Sequence, residues 1–407
     1  MQHPTPAIEP AFFMALAILF RALRSPAAYS RPGVMTGRLR RAFQLTRLHT
    51  TQETSMPRLF AALLLALTPM LASAEEVIRV YNWNDYIAPQ VLKDFEAETG
   101  IRVDYHTYST AEELAAVLAT GEAIDVAVPS HDALPAMIKN GTLQPLDFSL
   151  LPNRKHLDKQ LLSTLVALDP ANRHAVPYLW GAVGLAINTP QAEAAFGGPL
   201  PNSWSLLFDA EQSARLASCG ISVLDAPDET LTLLLNYQGR SLARSAPSRI
   251  ERSSRVLDGL RPNLRYVDSE RYIEDLNQGK LCVAMAWVGD ALAAADAGQP
   301  VRFLVPDEGS ILFIDNLVIP SSATRVDLAH RFIDYLMQPK VAALITAETL
   351  YPSGNADSRE FLDEALRNQP DLYPDRDTKR RLHPLETLPE KHSATRDAVW
   401  TRFRDGS

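Results

Sequence analysis

Residues 77–130 read VIRVYNWNDYIAPQVLKDFEAETGIRVDYHTYSTAEELAAVLATGEAIDVAVPS, and this stretch decides the fold. Alternating β-branched residues predict strands, apolar residues at helical spacing predict helices, and a capping box of Thr110 and Glu113 marks a helix start. The predicted elements are a strand at 77–82, a helix at 89–99, a strand at 102–105, a helix from 110 to near 121 and a strand at 124–128. Such alternation is typical of a parallel sheet with helices on its faces.

The chain beyond Pro145 continues the α/β theme less regularly. Further strands are predicted at 181–188, 221–224, 265–267, 281–287, 301–305 and 312–319, with helices at 227–237, 269–278 and 326–337 and another starting at Pro339. No flexible linker divides the chain, so two α/β lobes must be joined by ordered crossings, which we place near 177–184 and near 306–312. A cleft between two such lobes is a favoured ligand site.

We assign approximate boundaries to these parts. Residues 77–180 with 308–350 are expected to form the first lobe, and residues 181–307 with 351–407 the second.

Charge is distributed unevenly along the 407 residues. The net charge is −8, but residues 1–74 contain eight Arg, no Lys and two acids, which gives +6 and leaves −14 for the remaining 333 residues. An acidic body argues against nucleic acid as a partner, since neutralising phosphates needs a basic face. Two cysteines, Cys219 and Cys282, are too few for a disulfide-rich scaffold or an all-cysteine zinc site.

Residues 56–74, MPRLFAALLLALTPMLASA, have the order of a secretory signal peptide. Arg58 precedes an apolar run that is too short to span a membrane, and residues 72–74 form an A-x-A cleavage signature. The alternative is a buried core helix. We expect Met56 to be the true start and residues 1–55 to be a misassigned or disordered extension, with a second targeting element as the alternative. Export predicts an oxidising compartment, where the two cysteines form either a disulfide or two buried free thiols.

The familiar catalytic motifs are absent from the sequence, and its histidines show no metal-ligand spacing. What recurs is an aromatic residue close to an acid at a strand end: Trp83 with Asp85, Trp287 with Asp290, and Phe313 with Asp315. A spacing of two puts both members of a pair on one face of a strand. Aromatic faces attract organic cations and carboxylates accept hydrogen bonds from ammonium groups, so the pairs suit a ligand with more than one ammonium. The plainer alternative is core aromatics followed by turn acids.

Several stretches occur together in a fixed order: VYNWNDYIAP (80–89), FEAETGI (95–101), AVPS (127–130), SCGISVLDAP (218–227), LRPNLRY (260–266) and LCVAMAWVGD (281–290). In these stretches the chain resembles the bacterial periplasmic polyamine-binding proteins of ABC importers, above all the putrescine-binding branch. The likeness spans nearly all of 77–407. It implies an α/β, type II periplasmic-binding-protein fold, with two lobes joined by a hinge and the ligand in the cleft.

The resemblance also implies roles for individual residues. The aromatic residues that would enclose the ligand's stem are Trp83, Trp287 and Phe313. The acids that would hold its amino groups are Asp85, Asp290 and Asp315. The positions that would complete the pocket are Ser130, Glu229, Ser269 and Tyr351. Asn84 is included, although the family usually has Ser or Thr there. His131 and Asp132 replace small or neutral residues, so Asp132 adds a negative charge near the entrance or is simply exposed. Cys219 and Cys282 match a family disulfide.

The function expected from this resemblance is that of a monomeric periplasmic receptor without catalytic activity, metal or other cofactor. It would bind putrescine or a closely related polyamine and deliver it to an inner-membrane ABC permease. Alternatives are a binding protein or sensor for another cationic solute, such as agmatine, cadaverine or spermidine. A receptor for an amino acid or carboxylate would need a basic residue in the cleft, and an exported hydrolase would use the paired acids catalytically.

Overall fold

The computed structural model describes residues 76–406. The predicted signal peptide at 56–74 and the extension at 1–55 lie outside this range. Within it, the strands are β1 (Val77–Trp83), β2 (Arg102–Tyr108), β3 (Val126–Ala127), β4 (Ala175–Asn188), β5 (Ile221–Val223), β6 (Tyr266–Val267), β7 (Val283–Trp287), β8 (Val301–Leu304), β9 (Ser310–Val318) and β10 (Leu382–Pro384).

The helices of the same range lie between and after these strands. They are α1 (Pro89–Thr99), α2 (Ala111–Ala119), α3 (Leu134–Lys139), α4 (Lys159–Leu165), α5 (Thr189–Phe196), α6 (Ser205–Phe208), α7 (Ala210–Leu216), α8 (Pro227–Tyr237), α9 (Pro247–Ser254), α10 (Val256–Leu260), α11 (Arg271–Asn277), α12 (Val288–Asp296), α13 (Val326–Leu336), α14 (Pro339–Thr349), α15 (Glu364–Arg367), α16 (Arg376–Lys379) and α17 (Glu390–Asp405). Across residues 76–406, no helix combines the length and the apolarity that crossing a membrane requires.

The strands form one mixed sheet in the order β2-β1-β3-β9-β4-β7-β5-β6, with β10 added beside β9 and β8 beside β4. In the first lobe, β1 runs parallel to both β2 and β3, which confirms the predicted parallel sheet. The α1 helix covers this sheet because it buries Val91 and Phe95, and the Phe95 ring packs against Phe332 at 5.0 Å. Burying such a side chain contributes about 2–3 kcal/mol. The predicted capping box at Thr110 and Glu113 is confirmed.

Two long strands connect the lobes. Strand β4 is buried along its whole length, and its first half pairs with β9 from Ala175↔Val318 to Ala182↔Leu312. From Val183 onward the same strand pairs with β7 and β8 of the second lobe. Strand β4 therefore passes from one lobe into the other with β9 beside its first half, and the two strands form the ordered crossing between the lobes.

The second lobe has its own parallel strands, β6, β5 and β7, continued by the antiparallel β4 and β8. Cys219 follows α7 and Cys282 precedes β7, and the two form a disulfide with their Cα atoms 5.5 Å apart. This is the pairing that the resemblance implied. Closing a loop with a sequence separation of 63 contributes roughly 4 kcal/mol in the chain-entropy model.

The C-terminal segment contacts both lobes. A 3-10 turn at Ala356–Phe361 packs against α14 of the first lobe, whereas α17 packs against α8 and α9 of the second. Between them, β10 pairs in parallel with the start of β9. Residues 351–407 therefore contact elements assigned to both lobes, and the predicted lobe boundaries stay predictions.

Candidate ligand-binding cleft

The predicted aromatic and acidic residues come from both lobes and the crossing strands. Trp83 ends β1, Phe313 and Asp315 lie on β9, Trp287 ends β7, and Asp290 lies in the first turn of α12. We call the region between the lobes that these side chains line the candidate cleft. Its position at strand ends is where open α/β sheets bind ligands.

Asp315 is the buried carboxylate of the first-lobe side. Its side chain is 4% exposed, the Tyr86 hydroxyl donates to Oδ2 at 2.7 Å, and the Ser130 hydroxyl donates to Oδ1. Burial raises the pKa of Asp315 to about 7, although the two hydroxyl donors oppose this shift. Within residues 76–406, no Lys, Arg or His forms an ion pair with Asp315, so no protein cation neutralises this carboxylate.

Asp290 repeats this arrangement on the second-lobe side. The Tyr272 hydroxyl donates to Oδ2, and the Tyr351 hydroxyl donates to Oδ1 at 3.1 Å. Burial raises the pKa of Asp290 to about 6, the two tyrosine hydroxyls lower it, and the nearby Asp85 carboxylate adds to the rise. Each lobe thus offers one carboxylate that is satisfied by hydroxyl groups alone.

Aromatic rings fill the space around the two carboxylates. The Tyr351 ring lies 5.2 Å from Tyr86 and 5.9 Å from Phe313, measured between ring centroids. Close packing demands glycine beside these rings, because a Cβ on Gly289 would lie 2.4 Å from the Tyr351 ring and one on Gly181 would lie 2.6 Å from Phe313.

The two tryptophans are each backed by a tyrosine. Trp83 lies 4.6 Å from Tyr108, and Trp287 lies 6.4 Å from Tyr272, again between ring centroids. The indole Nε1 of Trp83 is buried without a hydrogen-bond partner, and so is the Ser269 hydroxyl. Unsatisfied buried donors are uncommon, so both groups are available to a ligand or to ordered water.

A second acidic group is made of Asp132 on the first-lobe side and of Asp228 and Glu229 on the second. Burial, together with the charges of the Asp132 and Asp228 carboxylates, raises the pKa of Glu229 to about 8. Burial also raises the pKa of Asp132 and moves that of Asp228 to about 6, although Arg396 donates to Asp228 at 2.7 Å. Asp132 also raises the pKa of Asp315, so this group adjoins the first-lobe carboxylate.

His131, the other departure from the family pattern, is a structural residue. It is fully buried, and its Nδ1 accepts a hydrogen bond from the Ile314 N–H at 3.3 Å. Burial lowers the pKa of His131 to about 4, so the imidazole is neutral at ordinary pH and holds the turn after Ser130 against β9.

Asn84 and Asp85 lie at the rim rather than inside. Strand β1 ends at Trp83, and Asp85 takes a left-handed φ of 51°, so the expectation that Trp83 and Asp85 share a strand face is wrong. Asn84 donates through Nδ2 to the Ser109 hydroxyl at 2.8 Å and to Glu270 Oε1 at 3.2 Å. Ser109 also donates to Glu270, so this carboxylate ties the rim of the first lobe to the second.

Several side chains beside the predicted site residues escaped the sequence analysis. Tyr86 donates to Asp315, Tyr272 donates to Asp290, and Glu270 accepts from Asn84. Asp228 raises the pKa of Glu229. The sequence marks these four residues only as parts of strand ends or helices. Of these residues, Tyr86 was the easiest to predict from the sequence, because it directly follows Asp85 and lies three residues after Trp83. Within residues 76–406, no group of three or more His, Cys, Asp or Glu side chains is placed to hold a metal ion.

Two carboxylates with aromatic rings around them have the chemistry that suits a cation. A carboxylate that already accepts hydroxyl hydrogen bonds has lone pairs left for an ammonium, and the ring faces attract the same charge. This chemistry agrees with the comparisons with known proteins. The family model "Bacterial extracellular solute-binding protein" matches residues 90–372.

The chain belongs to the bacterial extracellular solute-binding proteins. It is 38% identical over 366 residues to the putrescine-binding periplasmic protein SpuD of Pseudomonas aeruginosa (strain UCBPP-PA14), covering 86% of this chain and 100% of that protein. It is 36% identical over 354 residues to the putrescine-binding periplasmic protein PotF of Escherichia coli (strain K12), covering 85% and 96%. The predicted family is thereby confirmed.

Solved structures of this solute-binding family show the same architecture. A putative spermidine/putrescine ABC transporter from Listeria monocytogenes aligns with a TM-score of 0.74 at 29% identity, covering 82% of this chain and 100% of that one. The predicted two-lobed, type II fold class is confirmed by this likeness.

Proposed function

We propose that this solute-binding protein is a periplasmic receptor that binds putrescine or a closely related polyamine in the candidate cleft. The observation that carries the proposal is the pair of Asp290, which is half-buried, and Asp315, which is buried: both carboxylates receive hydroxyl hydrogen bonds and, among residues 76–406, no ion pair from the protein. Burying an uncompensated carboxylate is costly, and a ligand ammonium would relieve that cost at each end. The printed names of SpuD and PotF add support.

The ligand-binding role is proposed for the residues that the sequence singled out. They are Trp83, Asn84, Asp85, Ser130, Glu229, Ser269, Trp287, Asp290, Phe313, Asp315 and Tyr351. The rings would cover the methylene stem, and the carboxylates would accept hydrogen bonds from the ammonium groups. No bond is made or broken in this function, so none of these side chains is assigned a catalytic role.

Ligand binding would stabilise the closed arrangement of the lobes. Asp315 and Ser130 approach from the first lobe and Asp290 from the second, so only the closed protein holds both ends of a diamine. We propose that an inner-membrane ABC permease recognises this closed form and takes up the ligand.

The acidic group at Asp132 favours a second candidate within the same class. Burial raises the pKa of all three carboxyls, the Asp132 charge adds to the rise for Asp228 and Glu229, and one arginine, Arg396, stands against the three. A ligand with a third cationic nitrogen or a guanidinium, such as spermidine or agmatine, would neutralise this excess. Putrescine remains the first choice because Asp290 and Asp315 each accept two hydroxyl hydrogen bonds and no ion pair within residues 76–406, whereas Arg396 already pairs with Asp228.

Isothermal titration calorimetry with putrescine, cadaverine, agmatine and spermidine tests the proposal. We expect putrescine to give saturable heat at one site per chain. If the acidic group takes part, the wild type should bind agmatine or spermidine with higher affinity than Asp132→Ser does. Absence of heat with all four compounds would overturn the proposed function.

A further inference from the structure

A separate cavity of about 780 Å³ lies in the second lobe. It is formed by the loop between α8 and α9, the turn before β9 and the exposed face of β10, and none of the proposed polyamine-binding residues lines it. Its lining includes Arg240, Arg244 and Arg249, and we call it the arginine cavity. We propose that the arginine cavity binds a small multivalent oxyanion of the phosphate or pyrophosphate type.

Three arginines around one cavity stand out in a chain with a net charge of −8. Arg249 has no side-chain hydrogen bond or ion pair within residues 76–406. Arg240 donates to neutral groups only, Gln238 Oε1 at 2.7 Å and Ser253 Oγ at 3.0 Å. Two guanidinium groups therefore face the cavity without a carboxylate to neutralise them.

Arg244 and Ser241 show how the rim of the cavity holds an oxyanion. The Glu386 carboxylate accepts a hydrogen bond from the Ser241 hydroxyl at 2.5 Å and lies 3.3 Å from Arg244 Nη1. This contact is exposed to solvent, because the Arg244 side chain is 78% accessible, and exposed ion pairs are weak. An anion with two or more charges could displace Glu386 and engage all three arginines.

Besides Glu386 at the rim, Glu308 is the one acid that lines the cavity among residues 76–406. The Glu308 carboxylate accepts hydrogen bonds from the Ser203 hydroxyl and from the Trp204 N–H at 3.3 Å. These two bonds restrain it from turning toward the arginines. The α9 helix also begins at the cavity, with no acidic residue in its first turn and no side-chain cap at Ala246. Its partial positive charge adds to that of the arginines.

The geometry selects phosphate chemistry over the ligand of the candidate cleft. Guanidinium groups present planar pairs of donors that match phosphate and carboxylate oxygens, and a polyamine would be repelled by them. Free phosphates and phosphate headgroups of lipids share this chemistry, so the test needs an arm for each source.

The experiment compares Arg249→Gln and Arg240→Gln with Arg252→Gln, a matched exposed arginine on α9 that does not line the cavity. Calorimetry with inorganic pyrophosphate forms the first arm, and sedimentation with phosphatidylglycerol vesicles, against phosphatidylcholine vesicles, forms the second. We expect binding in at least one arm, weakened about tenfold by Arg249→Gln or Arg240→Gln, unchanged by Arg252→Gln and strengthened by Glu386→Gln.

Two results would overturn the proposal: no binding in either arm, or binding that Arg252→Gln weakens as much as the two cavity variants do. Putrescine titrations of the same variants are expected to match the wild type, because the arginine cavity is separate from the candidate cleft. If the wild type does not bind putrescine but does bind the oxyanion, the result would count against the proposed function and leave this inference standing.

Discussion

Asp290 and Asp315 are held in the same way although they belong to opposite sides of the candidate cleft. Asp315 is buried and Asp290 is half-buried, and each carboxylate accepts hydrogen bonds from two hydroxyl groups, at least one of them a tyrosine. Hydroxyl donors keep the carboxylates in place without neutralising them, which leaves their charge for a ligand.

Asp290→Asn should weaken putrescine binding by about 2–5 kcal/mol, or about 30-fold or more, because a buried charge-assisted hydrogen bond is lost. One tyrosine hydroxyl can still donate to the amide oxygen and the other can accept from the amide NH2, so the ligand-free free energy of unfolding should change by less than about 1 kcal/mol. Calorimetry and urea unfolding measure the two effects. Asp296→Asn, at the exposed far end of the same α12 helix, is the matched control and should alter neither.

The raised pKa values predict a pH dependence with a definite sign. In the ligand-free protein the pKa is about 6 for Asp290, about 7 for Asp315 and about 8 for Glu229, all above their unfolded values. The folded state thus binds more protons than the unfolded state, and the stability this provides is lost as pH rises from about 4 to about 8. An ammonium ligand favours the ionised carboxylates and reverses this loss.

Putrescine should therefore raise the melting temperature more at about pH 8 than at about pH 5, and its binding should release protons. Thermal unfolding with and without ligand, together with calorimetry in buffers of different ionisation enthalpy, measures both. A thermal shift that is equal or larger at the acidic end would contradict the assignment of these carboxylates to the ligand.

At the scale of single residues, the sequence predicted side-chain chemistry better than backbone direction. Phe313 and Asp315 share a face because both lie inside β9, as a spacing of two requires. Trp83 and Asp85 have the same spacing, but the strand ends between them and Asp85 turns into the left-handed region. Where a strand ends depends on its hydrogen-bonded neighbours, which the local pattern does not contain.

At the scale of elements, the α12 helix positions Asp290 only because its preceding residue is glycine. A Cβ on Gly289 would lie 2.4 Å from the Tyr351 ring, so Gly289→Ala should push Tyr351 away from Asp290. We expect a destabilisation of about 1–3 kcal/mol and a clear loss of putrescine affinity. Gly259→Ala, in α10, meets only the Ala210 methyl at 3.3 Å and serves as the control. Unchanged affinity in Gly289→Ala would show that Tyr351 is not part of the site.

Element boundaries that carry local signals were predicted well. The helices at 89–99 and 227–237 begin at a proline and match the structure residue for residue. Strand β4 was predicted to begin at 181 but begins at Ala175, because Pro177 interrupts the pattern and the pairing with β9 shifts at this point. Only the long-range pairing with β9 makes these residues a strand.

At the scale of the whole molecule, Glu270 ties the two lobes at the rim of the candidate cleft. It accepts hydrogen bonds from Asn84 at 3.2 Å and from Ser109, both in the first lobe, while it precedes α11 in the second. Glu270→Ala should raise the dissociation rate of putrescine by about twofold to tenfold, since each exposed hydrogen bond contributes about 0.5–1.5 kcal/mol. Stopped-flow kinetics measures the rate, with Glu274→Ala on α11 as the control. An unchanged dissociation rate would exclude a closing role for this contact.

The central claim is that the candidate cleft recognises two positive charges. The most direct measurement is calorimetry of one protein sample with putrescine and with 4-aminobutyrate, which has a carboxylate in place of one aminomethyl group. The two carboxylates predict saturable binding of putrescine and an affinity for 4-aminobutyrate lower by about 100-fold or more, because a like charge would meet Asp290 or Asp315. Equal affinities, or tighter binding of 4-aminobutyrate, would contradict the account.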